Sequence, residues 1–390
     1  MDLVFTALPI PSHVLPVVVP VARAAARAGH RVRVATSASM TGLIEREGLE
    51  PLPLTSVVSL ETLRTDPELG ERLGLPKELT APDRHTPAEV VTAAIARAFA
   101  GPIAGVFADE LISLLDRDRP DLILRESNEF GGSYAARVLG VPQVLLDTAP
   151  MSAVDGPVIL PSAREQHSRL GLPPVDRVTS DLRVGVVPEA WYPSELREPS
   201  ARYYRLPPSE SASLDLAELS PDRPVVLASL GTLAPSLPGV ERLFDVIVEA
   251  LGELPVHGVV ALGGLSQRSA PDNVHLVSSV PQRALLTACD AFVSHSGFGA
   301  VQDSIATGVP MVAIPLFTDQ HPNASRMAEL GAAVVLDPET LSVDALISAC
   351  RKVLDDPAHS RATRALTRAG LALPGVDVLL DDLAALVDRR

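Results

Sequence analysis

The chain is expected to be an α/β protein of two doubly wound, parallel-sheet domains, and three observations predict this. Short apolar runs alternate with helical stretches along most of the sequence. The alternation lapses in a proline-dense interval between Ala149 and Pro224 and then restarts. Both halves open as strand, loop and helix, which suggests twin domains facing each other across a cleft. At 390 residues the chain is long enough to bury two cores.

In the first half, the run 3–7 reads as a buried strand, the stretch 8–13 as a loop carrying Ser12 and His13, and 14–28 as a helix stopped by Gly29. A second strand follows at 31–35, a helix at 38–47, and room for a third strand at 50–54. This is a βαβ opening with right-handed crossovers. It lacks the G-x-G-x-x-G turn after strand one, which argues against an NAD(P) dehydrogenase. Residues 56–86, with scattered prolines and alternating charge, read as loops and short helices, and 87–115 as one long amphipathic helical region. Strands are expected at 122–124 and 144–146, with a helix at 130–139 ended by Gly140. The Ser/Pro/Glu-rich interval marks a linker at 207–223 between domains 1–206 and 224–375. A last helix, 376–390, is available to pack back on the first domain.

The second half places strands at 225–229, 256–262 and 274–277 and helices at 240–251, 282–288, 323–330, 343–354 and 361–369. Its centre is the stretch from Phe292 to Asp303. There a buried strand, 291–294, breaks into a small-residue turn and re-emerges as a helix, 298–307, stopped by Gly308 with Pro310 beyond. Glycine lets backbone amides approach a ligand closely, and a helix start aims free N–H groups and a partial positive dipole at the same place. That makes an anion site, most naturally for a phosphate or diphosphate, with His295 as a further donor. The run 311–314 then delivers Asp319 and Gln320 at its carboxyl end, where open α/β sheets bind ligands.

Bulk properties exclude several classes. A formal charge of −15 argues against nucleic acid and, more weakly, against anionic lipid. Cys289 and Cys350 are too few and too far apart for a disulfide scaffold or zinc site. Asp2 stands where a signal peptide carries positive charge, and Pro16 and Pro20 interrupt the following apolar run. No uncharged apolar stretch approaches the roughly 20 residues of a bilayer span. The expectation is a cytoplasmic protein without stable membrane insertion; a homodimer stays open.

Assembled, these residues resemble the GT-B superfamily, with its two Rossmann-like domains. More narrowly, the chain looks like the family 1 nucleotide-sugar-dependent glycosyltransferases, in the bacterial branch that decorates macrolides, polyketides and other natural products. Ser12-His13-Val14-Leu15-Pro16 stands where the family usually has Gly-His-x-x-Pro, and His295 through Gln320 follows its donor-binding signature. Weaker matches are Ser229-Leu230-Gly231-Thr232, Val280-Pro281-Gln282 and Pro120-Asp121-Leu122-Ile123.

The resemblance implies that His295 and the amides from Gly297 to Val301, Gly299 and Ala300 among them, bind the diphosphate, with Ser296 also in the donor site. It puts Asp303 on the ribose hydroxyls, Asp319 and Gln320 on the transferred sugar, and Gly231 and Thr232 over the phosphates, with Ser229 also in the donor site. Ser279, Val280 and Gln282 border the base. Three departures stand out: Ser279 where a Trp often stacks on the base, Ala300 for a common Ser, and Ser12 for Gly. Acceptor-lining segments are expected within 56–100 and 149–170.

Displacing a nucleoside diphosphate from an anomeric carbon requires a base for the acceptor hydroxyl and stabilisation of the leaving charge. Histidine suits the first task, with a pKa near neutrality, so His13 is the expected general base. Glu126, at the end of its strand, is the expected partner behind the imidazole, with Glu129 in reserve. Attack opposite the diphosphate implies inversion. No metal and no cofactor are expected: Asp116-Arg117-Asp118 is formally a D-x-D triplet but ends a charged helix. The partners implied are a TDP-sugar, with UDP-sugar the other candidate, and a hydrophobic small-molecule acceptor. Rival readings are a non-catalytic nucleotide-sugar-binding helper of another transferase and a sugar-nucleotide epimerase on the same fold.

Overall fold

The computed structural model describes residues 1–59, 62–63, 66–75, 88–152, 156–207, 222–237, 239–266 and 268–389. Two all-parallel sheets organise it, of seven and six strands. The first is ordered β3-β2-β1-β4-β5-β6-β7, with β1 Asp2–Thr6, β2 Arg31–Ser37, β3 Glu50–Leu54, β4 Leu122–Glu126, β5 Gln143–Leu146, β6 Leu182–Gly185 and β7 Ala201–Tyr203. The second is ordered β10-β9-β8-β11-β12-β13, with β8 Val225–Ser229, β9 His257–Ala261, β10 Val274–Val277, β11 Ala291–Ser294, β12 Met311–Ala313 and β13 Ala333–Val335. Central strands are buried on both faces, so they read as continuous apolar runs. Pro51 and Pro53 are tolerated because β3 is an edge strand.

The chain divides into two compact units, Met1–Val186 with Glu195–Pro207 and Pro374–Arg390, and Val187–Ser194 with Pro208–Leu373. A single boundary at 206 therefore misplaces Val187–Ser194, which belongs to the second unit. Of the expected linker 207–223, residues 208–221 lie outside the described residues. In the first unit the helix Val376–Asp388 buries Leu379, Leu380 and Leu383 in the core formed by β1, β2, β4 and the helix Val19–Arg27. The Tyr204 hydroxyl donates to Asp382 Oδ2.

Several expectations are corrected. His13 does not end a loop: a helix begins at Pro11, runs as a π-type turn over Val14–Val18, and continues as Val19–Arg27. Proline suits a helix start because the missing N–H had no partner there, and Pro16 and Pro20 thin the ladder where it widens. The region 87–115 is two helices, Ala88–Ala100 and Pro102–Leu115, broken at Gly101. Taken as one run, Val90–Leu115 is long and apolar enough by length and composition alone to cross a membrane, but half of its most apolar 18-residue window is buried inside the structure, as in a core helix. The helix Leu160–Arg169 and the strands β6, β7 and β13 were not read from the sequence. Gln320 opens the helix Gln320–Glu329 instead of preceding it.

Candidate active site

In the first sheet the strand order reverses between β1 and β4, so the segments leaving their carboxyl ends diverge to form a crevice. Thr6 lies opposite Arg125 in the register. That neighbourhood brings His13 and Glu126 together across 113 residues of sequence: His13 Nδ1 lies 3.2 Å from Glu126 Oε2. Glu126 is wholly buried and His13 only partly so. The same carboxylate oxygen accepts from the Asn128 amide at 2.9 Å and the Thr148 hydroxyl at 2.7 Å. Burial alone would push the Glu126 carboxyl up; the His13 charge and these hydrogen bonds outweigh it and hold it below the usual range. It thus stays ionised behind the imidazole, able to orient the ring and stabilise its charged form.

Glu129 is not within this pair. Its oxygens accept from the Thr6 hydroxyl at 2.5 Å and from the Gly132 amide at 2.9 and 3.0 Å, closing the start of the helix Gly131–Leu139. Burial pushes its pKa up to about 7, against the opposing pull of Thr6, Gly132 and Arg125. Arg125 spans the turn, with Nη1 donating to the carbonyls of Glu126, Ser127 and Glu129. Thr148, Asn128 and Arg125 had no signal in the sequence, because their roles exist only as contacts.

In the second sheet the order reverses between β8 and β11, with Ser229 opposite Ser294 in the register. The loops that follow carry Gly231 and His295. The imidazole is clamped between two glycines: a Cβ on Gly231 would come 2.6 Å from His295 Nε2, and one on Gly297 2.5 Å. Gly231 also has φ +84°, in the left-handed region. Burial lowers the His295 pKa to about 4, with the Ser229 backbone pulling weakly the other way, so the ring is neutral near pH 7.

Ser296 takes a left-handed φ of 59°, which a side chain tolerates only when the surroundings enforce it. Its carbonyl accepts from Asn323 Nδ2, which also donates to Asp319 Oδ2, each at 3.0 Å. Gly297 then begins the helix Phe298–Thr307, whose residue Val301 donates back to the Gly297 carbonyl. The amides of Phe298, Gly299 and Ala300 make no hydrogen bond among the described residues. Open N–H groups at a helix start provide a place for an anion.

Asp303 accepts from Gln282 Nε2 at 2.9 Å, and burial raises its carboxyl to about 6 against the pull of Gln282 and Arg283. Gln320 is buried, and its Oε1 accepts from the amides of Leu316 and Phe317 at 2.8 and 3.2 Å. Only its Nε2 remains for a ligand. Thr232 and Ser279 lie exposed, Val280 and Ser229 partly so, and none of them hydrogen-bonds to the rest of the set through its side chain. The D-x-D carboxylates are paired with arginines, Asp118 with Arg31 and Arg33 and Asp116 with Arg119. No cluster of metal-ligating side chains occurs among the described residues. The acceptor-lining segments 56–100 and 149–170 fall partly on 60–61, 64–65, 76–87 and 153–155, outside the described residues.

Comparison with known proteins bears on both units. Residues 208–369 match the family described as UDP-glucoronosyl and UDP-glucosyl transferase, and residues 23–183 match the erythromycin biosynthesis protein CIII-like N-terminal domain. The L-demethylnoviosyl transferase of Streptomyces niveus is 28% identical, over 99% of this chain and 98% of its own. The 4'-demethylrebeccamycin synthase of Lentzea aerocolonigenes is also 28% identical, over 88% and 90%. A glycosyltransferase from Streptomyces sp. SF2575, solved with thymidine diphosphate, superposes with a TM-score of 0.75 at 23% identity, each chain fully covered. With both its halves matched and its sheets in this arrangement, the chain joins an erythromycin CIII-like N-terminal domain to a domain of the UDP-glucoronosyl and UDP-glucosyl transferase family, on the GT-B fold, and its relatives are bacterial antibiotic glycosyltransferases.

Proposed function

We propose that this glycosyltransferase transfers a deoxysugar, with inversion and without a metal, from a thymidine diphosphate sugar to a hydroxyl of an apolar natural product such as an antibiotic aglycone. The observation that carries the reading is the His13–Glu126 pair, an imidazole 3.2 Å from a buried carboxylate held ionised. His13 Nε2 takes the acceptor proton while Glu126 stabilises the imidazolium that forms on the Nδ1 side. General-base catalysis of this kind is worth about 10²–10⁴ in rate. The open amides of Phe298, Gly299 and Ala300 receive the departing diphosphate, with neutral His295 as a hydrogen-bonding group beside them. Asp303 takes the ribose hydroxyls, and Asp319 with Gln320 Nε2 the sugar. The thymidine choice is supported by the neighbour solved with thymidine diphosphate, and the acceptor class by relatives named for sugar transfer to antibiotics.

Substituting His13→Ala tests this. Transfer is expected to fall by more than about tenfold while thymidine diphosphate still raises the melting temperature. Unchanged turnover removes His13 from the mechanism. Product formed by the purified chain alone from donor and acceptor excludes the helper-protein reading, and turnover of donor without acceptor would favour an epimerase.

A further inference from the structure

The sequence has one tryptophan, Trp191, and the fold places it in an unexpected position. The chain leaves the first unit after Val186, runs through Val187–Ser194 in the second, and returns at Glu195. Within that detour Trp191 is completely buried. Its ring centroid lies 5.4 Å from that of Phe298, tilted by 47°, with Tyr192 edge-on at 5.2 Å. Phe298 is the first residue of the helix whose open amides form the anion cradle. Arg326 holds the adjoining backbone, Nε donating to the Trp191 carbonyl at 2.7 Å and Nη2 to the Ala190 carbonyl at 2.9 Å. Arg326 lies on the helix Gln320–Glu329, which starts next to Asp319. One short segment therefore ties together the two helices whose starts carry the diphosphate and sugar groups.

The indole Nε1–H is buried and makes no hydrogen bond among the described residues. An orphaned donor costs free energy, so polarity is not what this position uses. What remains is a large flat aromatic surface against Phe298. We propose that Trp191 is a positioning residue for nucleotide binding: packed on Phe298 and anchored through Arg326, it fixes the cradle helix relative to the helix that begins at Gln320. This rests on the reading of the cradle as a nucleoside diphosphate site. Phenylalanine should replace Trp191 in this role, because it keeps a ring and loses only the unpartnered donor; leucine should not.

The test compares full-length wild type, Trp191→Phe and Trp191→Leu by calorimetric titration with thymidine diphosphate and uridine diphosphate and by steady-state kinetics. Trp191→Leu is expected to bind the preferred diphosphate about tenfold more weakly, equivalent to about 1.4 kcal/mol. Its donor KM rises while kcat at saturating donor is unchanged, and Trp191→Phe behaves as wild type. Equal affinity in all three proteins overturns the proposal, as does equal weakening in both variants. If Trp191→Leu does not fold, wild-type emission decides, since all indole fluorescence comes from this residue. A saturable change that tracks the calorimetric affinity supports the proposal, and unchanged emission with bound diphosphate overturns it. Wild type that binds neither diphosphate overturns the cradle reading itself, a result the titration separates from the others.

Discussion

Glu126 and Glu129 belong to one buried turn, yet their carboxyls are driven in opposite directions. Glu126 has the His13 ring and several donors on one oxygen; Glu129 has a hydroxyl and one amide, too little to offset burial. For Glu129 the folded value of about 7 exceeds the ordinary 4.5, so the native state holds the proton over a range where the unfolded chain has lost it. Its contribution to stability is complete below 4.5 and is lost as pH rises through 7. Glu129→Gln keeps a neutral group there at every pH. Its melting temperature relative to wild type should therefore rise between pH 5 and pH 8, while a difference independent of pH would show that the carboxyl is ionised throughout. His295 acts on the acid side. Its folded pKa of about 4 lies below the ordinary 6.5, so stability falls as pH drops from 6.5 to 4.

At the scale of the element, the cradle depends on a helix start, two glycines and one ring. Gly297 has a φ of −57°, which any residue adopts, so only the His295 ring excludes a side chain there. Gly297→Ala should displace either the imidazole or the helix start. We expect a protein with native circular dichroism that loses most of the stabilisation by thymidine diphosphate; at about 100 times Kd, this amounts to roughly 2.7 kcal/mol in the wild type. A melting-temperature rise equal to that of wild type would show that the clamp is dispensable. The helix bounds 298–307 were legible beforehand, because periodicity and the Gly308 stop are local signals. The role of Gln320 was legible only in part. Its oxygen turns back on the Leu316 and Phe317 amides, a contact no spacing rule announces.

Across the whole molecule, the first unit is completed by a helix from the far end of the chain. Leu379 and Leu383 are fully buried in its core. Leu383→Ala should cost about 2–5 kcal/mol, read from urea unfolding followed by a probe in the first unit. A loss below about 0.5 kcal/mol would mean that the helix contributes little to that core.

Sequence alone determined the alternation of strand and helix, the parallel class and the small-residue turn that carries His295, since each depends on neighbours within a few residues. Short strands such as β6 and β7 escaped it: too few residues show a period, and prolines crowd the interval. Tertiary structure decided which loops meet, because strand order, and not chain order, sets β1 beside β4 and β8 beside β11. It also decided which carboxyl is charged and where Trp191 lodges, for burial and hydrogen-bond partners are properties of the packed chain.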